Sequence, residues 1–152
     1  MAKQDKGRSI SRSQFATLNI STPAQAAALF HAALPADAHE ERVFVLPLDA
    51  AGRVLARPIL VSVGDKDATT AIEPGRIFRE ALKAGAEEII VAHNHPSGDP
   101  TPSKQDVEAT RELKDLAARL QIGFLDHLVI GAPDSAQGRG FVSLAEMDGE
   151  NL

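Results

Sequence analysis

Apolar and polar positions change period several times along the chain, and each change marks an element. In "ISTPAQAAALFHAAL" a run of alanines and leucines follows Ser21, Thr22 and Pro23. A hydroxyl side chain ahead of a first-turn proline predicts a helix beginning there. "PADAHEE" reads as a loop, and "RVFVLPLDAAGRVLARPILVSV" as two strands around a turn at Asp49–Gly52. Pro47 and Pro58 predict an exposed edge or a bulge at those points, because proline cannot donate to a strand ladder. After the polar connection "GDKDATTAIEPG", the stretch "GRIFREALKAGA" puts Ile77, Phe78, Ala81 and Leu82 on one helical face, with Gly85 at its end.

"EEIIVAH" is apolar on both faces, the pattern of a central strand in an α/β sheet. In "SKQDVEATRELKDLAARLQIG", Ala109, Leu113, Leu116, Ala117 and Leu120 recur at helical spacing, and Gly123 closes the segment. "FLDHLVIG" is another strand, "APDSAQGRG" a loop, and "FVSLAEM" a final strand or turn of helix. The order α-β-β-α-β-α-β predicts an α/β protein, a three-layer-like α/β sandwich with a mixed sheet. Neither an internal repeat nor a low-complexity block interrupts it. The expected organisation is a flexible polar tail over 1–18 and one domain over 19–152.

Composition narrows the functional classes. The chain has 152 residues, 43% hydrophobic and 24% charged, ordinary values for a soluble globular protein. No apolar run approaches the roughly eighteen residues of a membrane helix. "MAKQDKGRSISRSQ" lacks the apolar core of a secretory signal, so a cytoplasmic location is expected. There is no cysteine, which removes disulfides, thiol nucleophiles and zinc sites built on thiolates, cysteine-ligated deaminase centres included. A net charge of −5 argues against general nucleic-acid binding, which draws on phosphate contacts. Lys3, Lys6, Arg8 and Arg12 are a local exception, read as a solvated tail.

The candidate chemistry lies in "AHNHPSGDPTPSKQD", from Ala92 to Asp106. His93 and His95 fall just past the end of a central strand, where open α/β sheets place their ligand sites. Residues i and i+2 of an extended segment point to one side, so the two imidazoles converge while Asn94 faces away. A proline- and glycine-rich turn then reverses the chain, and a helix begins near Ser103. Asp106 lies in its first turn, where its carboxylate faces back to the histidines. Two imidazole nitrogens and a carboxylate suit one zinc ion and leave a fourth position for water. Each part has a plainer explanation: Ser103 and Asp106 as a helix cap, Asp99 as a turn residue, and each histidine as a surface side chain. The combination H-x-H-x₇-S-x₂-D at a strand-to-helix junction favours the metal.

"HNHPSGDPTPSKQD" is similar to the JAMM (MPN+) metallopeptidase signature, and "FREALKAGAEEIIVAHNHPSGDPTPS" with "FLDHLVIG" resembles the RadC branch of that family. The likeness runs from about Glu41 to Ile130. It implies a JAMM/MPN fold related to the cytidine deaminase sandwich, with one Zn²⁺ held by His93, His95 and Asp106. It places the oxyanion-stabilising serine on Ser103 and the catalytic glutamate on Glu41, at the start of "ERVFVLPLD". Its neighbour Glu40 would take that role if the register slipped by one, because the slip turns the side chain to the opposite face.

The resemblance implies hydrolysis of a peptide or isopeptide amide bond. The substrate would be a protein or peptide, ubiquitin-like modifiers included. His127, in "LDHLVIG", reads either as a partner of the site or as a strand histidine packed at the sheet edge. Two departures stand out. The chain has no room for the N-terminal helix-hairpin-helix region that RadC proteins usually carry. Ser62–Gly75 looks longer and more polar than its usual counterpart, with Asp65, Asp67 and Glu73 read as loop charges. The competing functional classes are a DNA-repair accessory module, suggested by the RadC likeness alone, and a silent MPN scaffold, which would lack ligands that are all present here. Substrate and oligomeric state are not legible.

Overall fold

Among the described residues, five strands form one sheet: β1 (Arg42–Leu48), β2 (Ile59–Val63), β3 (Glu88–Asn94), β4 (Gly123–Ile130) and β5 (Phe141–Ser143). The computed structural model describes residues 18–64 and 72–148. The sheet order is β2-β1-β3-β4-β5. Only β3 and β4 are parallel, joined through the long helix α3 (Lys104–Leu120); the other neighbours are antiparallel. The helices α1 (Pro23–Ala33) and α2 (Pro74–Lys83) complete the layers, and α4 (Leu144–Asp148) closes the described chain. The expected α/β sandwich with a mixed sheet is the architecture found. No helix among the described residues is long and apolar enough to cross a membrane.

Strand alternation splits the core in two. Phe44, Leu46, Ile90, Ala92, Leu128 and Ile130 meet Ala26, Ala27, Leu29 and Phe30 of α1. On the opposite face Val43, Val45, Ile89 and Val91 meet Ile77, Phe78 and Ala81 of α2 and Leu113 and Ala117 of α3. Each fully buried leucine or phenylalanine here stabilises the fold by about 1.5–3 kcal/mol. β3, the central strand of the five, is covered on both faces and paired on both edges, and the histidine loop leaves from its end.

Local chemistry sets the element ends. Thr22 caps α1, with Gln25 returning the bond in a reciprocal capping box. Pro47 lies within β1, opposite Ile89 of β3. Pairing with β2 has lapsed by then, the last register pair being Val45 with Ile59, and the Pro47 carbonyl accepts from Leu55 N instead. The missing N–H therefore falls where β1 has left β2 and meets only the irregular segment around Leu55, inside the sheet and at neither an exposed edge nor a bulge.

Three further expectations need correction. The strand after the Asp49–Gly52 turn begins at Ile59; Arg53 and Val54 form only isolated bridges, to Asn19 and Leu48. Leu82 is 54% exposed, because it lies about 90° round α2 from the centre of the Ile77–Phe78–Ala81 stripe. Gly123 does not close α3. Gln121 does so in the left-handed region at φ 59°, and Gly123 opens β4. Lys3, Lys6, Arg8, Arg12, Asp65 and Asp67 lie outside the described residues.

Candidate metal centre

His93 sits one residue before the end of β3, opposite Val43 of β1 and Val129 of β4. Its ring is fully buried. His95 follows the strand end, anchored by its backbone N–H to the Ile130 carbonyl at 2.9 Å, and its ring is half-buried. Asn94 alternates to the other side. Its Oδ1 accepts from Arg42 N at 2.7 Å and its Nδ2 donates to the Glu40 carbonyl at 3.0 Å.

The turn that follows reverses the chain through Gly98 at φ 90°, a left-handed conformation that glycine adopts without penalty. Gly98 N donates back to the His95 carbonyl at 2.9 Å. Asp99 is a turn residue: its Oδ1 accepts from Thr101 N and Oγ1, which holds the carboxyl below its ordinary range. The Asp99 carbonyl lies 2.9 Å from His95 Nδ1. A carbonyl can only accept, so that nitrogen carries the proton and His95 Nε2 presents a lone pair.

Ser103 and Asp106 form the capping box that their spacing allows. Ser103 Oγ accepts from Asp106 N at 3.1 Å, and Asp106 Oδ2 accepts from Ser103 N at 2.8 Å. The cap also aims the Asp106 carboxylate at the histidines. Oδ1 lies 3.2 Å from His93 Nε2, Oδ2 lies 3.2 Å from His95 Nε2, and the two Nε2 atoms are 3.2 Å apart. The structural and functional readings of Ser103–Asp106 thus coexist.

This donor set fits a divalent ion. Tetrahedral zinc with bonds of about 2.0–2.1 Å separates its ligands by about 3.3–3.4 Å, close to the spacings here. Among the described residues, His93, His95 and Asp106 are the group of such side chains close enough to share a cation. Without a cation or a proton, lone pairs would face one another across the gap. The carboxylate accordingly draws a proton onto His95: the Asp106 hydrogen bond raises its pKa despite partial burial. Burial opposes ionisation of Asp106, but the His93 and His95 rings outweigh it and hold the carboxyl well below the usual range.

Glu41 immediately precedes β1. The antiparallel pairing of Val43 with His93 puts Glu41 on the histidine side of the sheet, and its Oε2 lies 3.9 Å from His93 Nε2. Glu40 turns the other way and pairs with Arg42 at 3.2 Å. Glu73 lies far from this cluster in sequence and pairs with Arg76 at 3.1 Å. His127 belongs to β4, inside the sheet order and not at its edge, and its Nε2 lies 2.8 Å from His93 Nδ1. Complete burial, followed by the neighbouring His93, pushes the His127 pKa well below its ordinary value. Sequence reasoning missed two polar residues that this geometry implicates, Asn94 as a clamp beside Glu41 and Thr110 beside His127. Thr110 was signalled only by lying four residues after Asp106, one helical turn on.

An open cleft of about 720 Å³ adjoins the cluster, lined in part by His31, His39, Asn94, His95, Pro96 and Arg139. It touches the three candidate ligands only through His95, so the cluster lies at its rim.

A five-stranded mixed sheet between helices, with a His–His–carboxylate group at a strand-to-helix junction, defines a JAB/MPN-like α/β domain. The comparisons agree. The model of the "RadC-like JAB domain" family matches residues 20–149, and the chain belongs to that family. A protein of Clostridium perfringens named "UPF0758 protein" is 37% identical over 136 residues, which cover 90% of this chain and 56% of that protein. One of the same name from Carboxydothermus hydrogenoformans is 45% identical over 92 residues, 60% of this chain and 40% of its own length. Another, from Chlorobium chlorochromatii, is 43% identical over 94 residues, covering 62% and 41%. The chain thus spans about half or less of the length of these relatives.

Proposed function

We propose that this chain hydrolyses an amide bond, peptide or isopeptide, in a protein substrate, with one Zn²⁺ held by His93, His95 and Asp106. The observation that carries the reading is the convergence of two histidine Nε2 atoms and a carboxylate at 3.2 Å spacings. Membership of the RadC-like JAB domain family supports it. Imidazole and carboxylate ligation without thiolate is characteristic of catalytic zinc.

When bound, the ion supplies Lewis acidity, polarising a carbonyl and acidifying a water molecule. The chain's own groups do the rest. Glu41 Oε2 takes the proton of the attacking water as its oxygen bonds to the scissile carbon. Glu41 then returns that proton to the leaving nitrogen as the C–N bond breaks, giving a carboxylic acid and an amine, and the acid's proton passes to the amine. Ser103 Oγ accepts from Asp106 N, which leaves its hydroxyl hydrogen to donate to the developing oxyanion. The cleft beside His95 offers room for the substrate chain.

Metal analysis of the purified protein, followed by a panel of peptide and isopeptide substrates with and without chelator, tests this reading. Glu41→Gln should retain zinc and lose about 10²–10⁴-fold in turnover. Full activity in that variant, or in excess chelator, would overturn the proposal. The DNA-accessory reading rests on the RadC likeness alone, and the charge of −5 weighs against it.

A further inference from the structure

A third histidine ring stands behind the three candidate ligands, and the hydrolytic steps above do not use it. His127 is fully buried on β4, and its ring lies tilted 56° to that of His93, with centroids 4.9 Å apart. Its two nitrogens have one partner each. Nε2 is 2.8 Å from His93 Nδ1, and Nδ1 is 2.6 Å from Thr110 Oγ1. Thr110, also fully buried, donates its hydroxyl hydrogen to the Asp106 carbonyl at 2.7 Å.

The donor inventory fixes the direction of every bond in this line. The Asp106 carbonyl can only accept, so it consumes the single Thr110 proton. Thr110 Oγ1 must then accept from His127, which places a proton on His127 Nδ1. Donating there, the neutral His127 ring has only a lone pair at Nε2, so it accepts from His93 Nδ1–H. His93 Nε2 is left as a lone pair, facing Asp106 and His95. The line begins on the backbone of one candidate ligand and ends on the ring of another.

We infer that Thr110 and His127 form a buried hydrogen-bond relay that fixes His93 as its Nδ1–H tautomer and holds its Nε2 lone pair toward the metal position. Both are positioning residues; neither touches the metal or the substrate. The inference deepens the proposed hydrolase and rests on its metal site. The Asp99 carbonyl does the same for His95, so both imidazoles are pre-set as ligands from behind. Partners of this kind typically alter metal affinity by about 10–100-fold when removed.

Thr110→Val keeps the side-chain volume and removes the hydroxyl. His127 can then turn its proton to Nε2 and donate it to His93, which moves the His93 proton onto the ligating nitrogen. Thr110→Ser keeps the hydroxyl and removes a methyl group, so a packing role would rank the two variants in the opposite order.

The experiment is long-range nitrogen–proton NMR of the metal-free protein at alkaline pH, paired with zinc affinities from chelator competition for wild type, Thr110→Val and Thr110→Ser. The relay predicts Nδ1–H tautomers for both His93 and His127 in the wild type. It also predicts zinc binding weakened about 10–100-fold in Thr110→Val, with Thr110→Ser close to wild type. A wild-type His93 protonated on Nε2 overturns the inference without needing any variant to fold. So does a Thr110→Val protein that keeps the His93 tautomer and binds zinc at full strength. If the wild type takes up no zinc the hydrolase reading fails, while the tautomer spectrum still decides the relay.

Discussion

Gly131, directly after β4, packs against the turn that carries the candidate ligands, and its replacement by alanine is a quantitative test of that packing. A β-carbon built there would lie 2.5 Å from the Gly98 carbonyl, 2.7 Å from Pro100 Cδ and 2.9 Å from Ser135 Oγ. Ordinary contact begins near 3.4 Å, so the Gly98 carbonyl would have to retreat by about 0.9 Å, and it is backbone without a rotamer to change. That carbonyl also accepts from Ala132 N at 2.8 Å. Overpacking of this kind costs about 1–3 kcal/mol. Because Gly98 N bonds to the His95 carbonyl and the Asp99 carbonyl orients the His95 ring, the displacement reaches the metal position. Urea unfolding should show a loss of about 1–3 kcal/mol, and chelator competition should show zinc affinity weakened about tenfold. Gly75→Ala is the control: its added carbon meets only Arg79 Nη2, at 3.7 Å, inside a helix where alanine gains up to about 1 kcal/mol. A Gly131→Ala protein with wild-type stability and zinc affinity would refute the packing argument.

Two further predictions follow from the same geometry. Zinc affinity should depend on pH through His95, whose pKa Asp106 raises: the metal needs the neutral ring, so affinity is level above the raised pKa. Below it affinity falls about tenfold, or 1.4 kcal/mol, per pH unit. Calorimetry in buffers of differing ionisation enthalpy should detect proton release on binding just below that pKa, and a flat profile through the neutral range would contradict the shared proton. Asn94→Ala removes the two hydrogen bonds that straddle Glu41 and should cost about 1–3 kcal/mol by leaving Arg42 N and the Glu40 carbonyl unpaired. It should lower kcat while zinc stays bound; unchanged kcat would free Asn94 from any role in placing Glu41.

The central strand and the His93–His95–Asp106 geometry were legible because their signals are local. An unbroken apolar run, an alternation of two and a first-turn carboxylate each act within one element. The buried stripe of α3 was less so. Counting apolar side chains predicts a face through Ala109, Leu113, Leu116, Ala117 and Leu120, yet Leu120 is 46% exposed and the buried face runs through Asp106, Thr110, Leu113 and Ala117. At 100° per residue the centres of the two stripes differ by about 45°. Two polar residues occupy core positions beside the site, and a hydrophobic count cannot include them. The choice between Glu40 and Glu41 needed the register of β1 against β3, and the ladder to β2 carries an irregularity between Val43 and Phe44. Long-range pairing sets that register, and no local pattern encodes it. The late start of β2 has the same origin, since "RVLARP" is as apolar as many strands but finds no continuous partner.

Anomalous diffraction from crystals of the protein soaked in zinc tests the central claim most directly. The account predicts a single strong peak within about 2.0–2.2 Å of His93 Nε2, His95 Nε2 and one Asp106 carboxylate oxygen. No peak between these side chains, or one held by other residues, would contradict it.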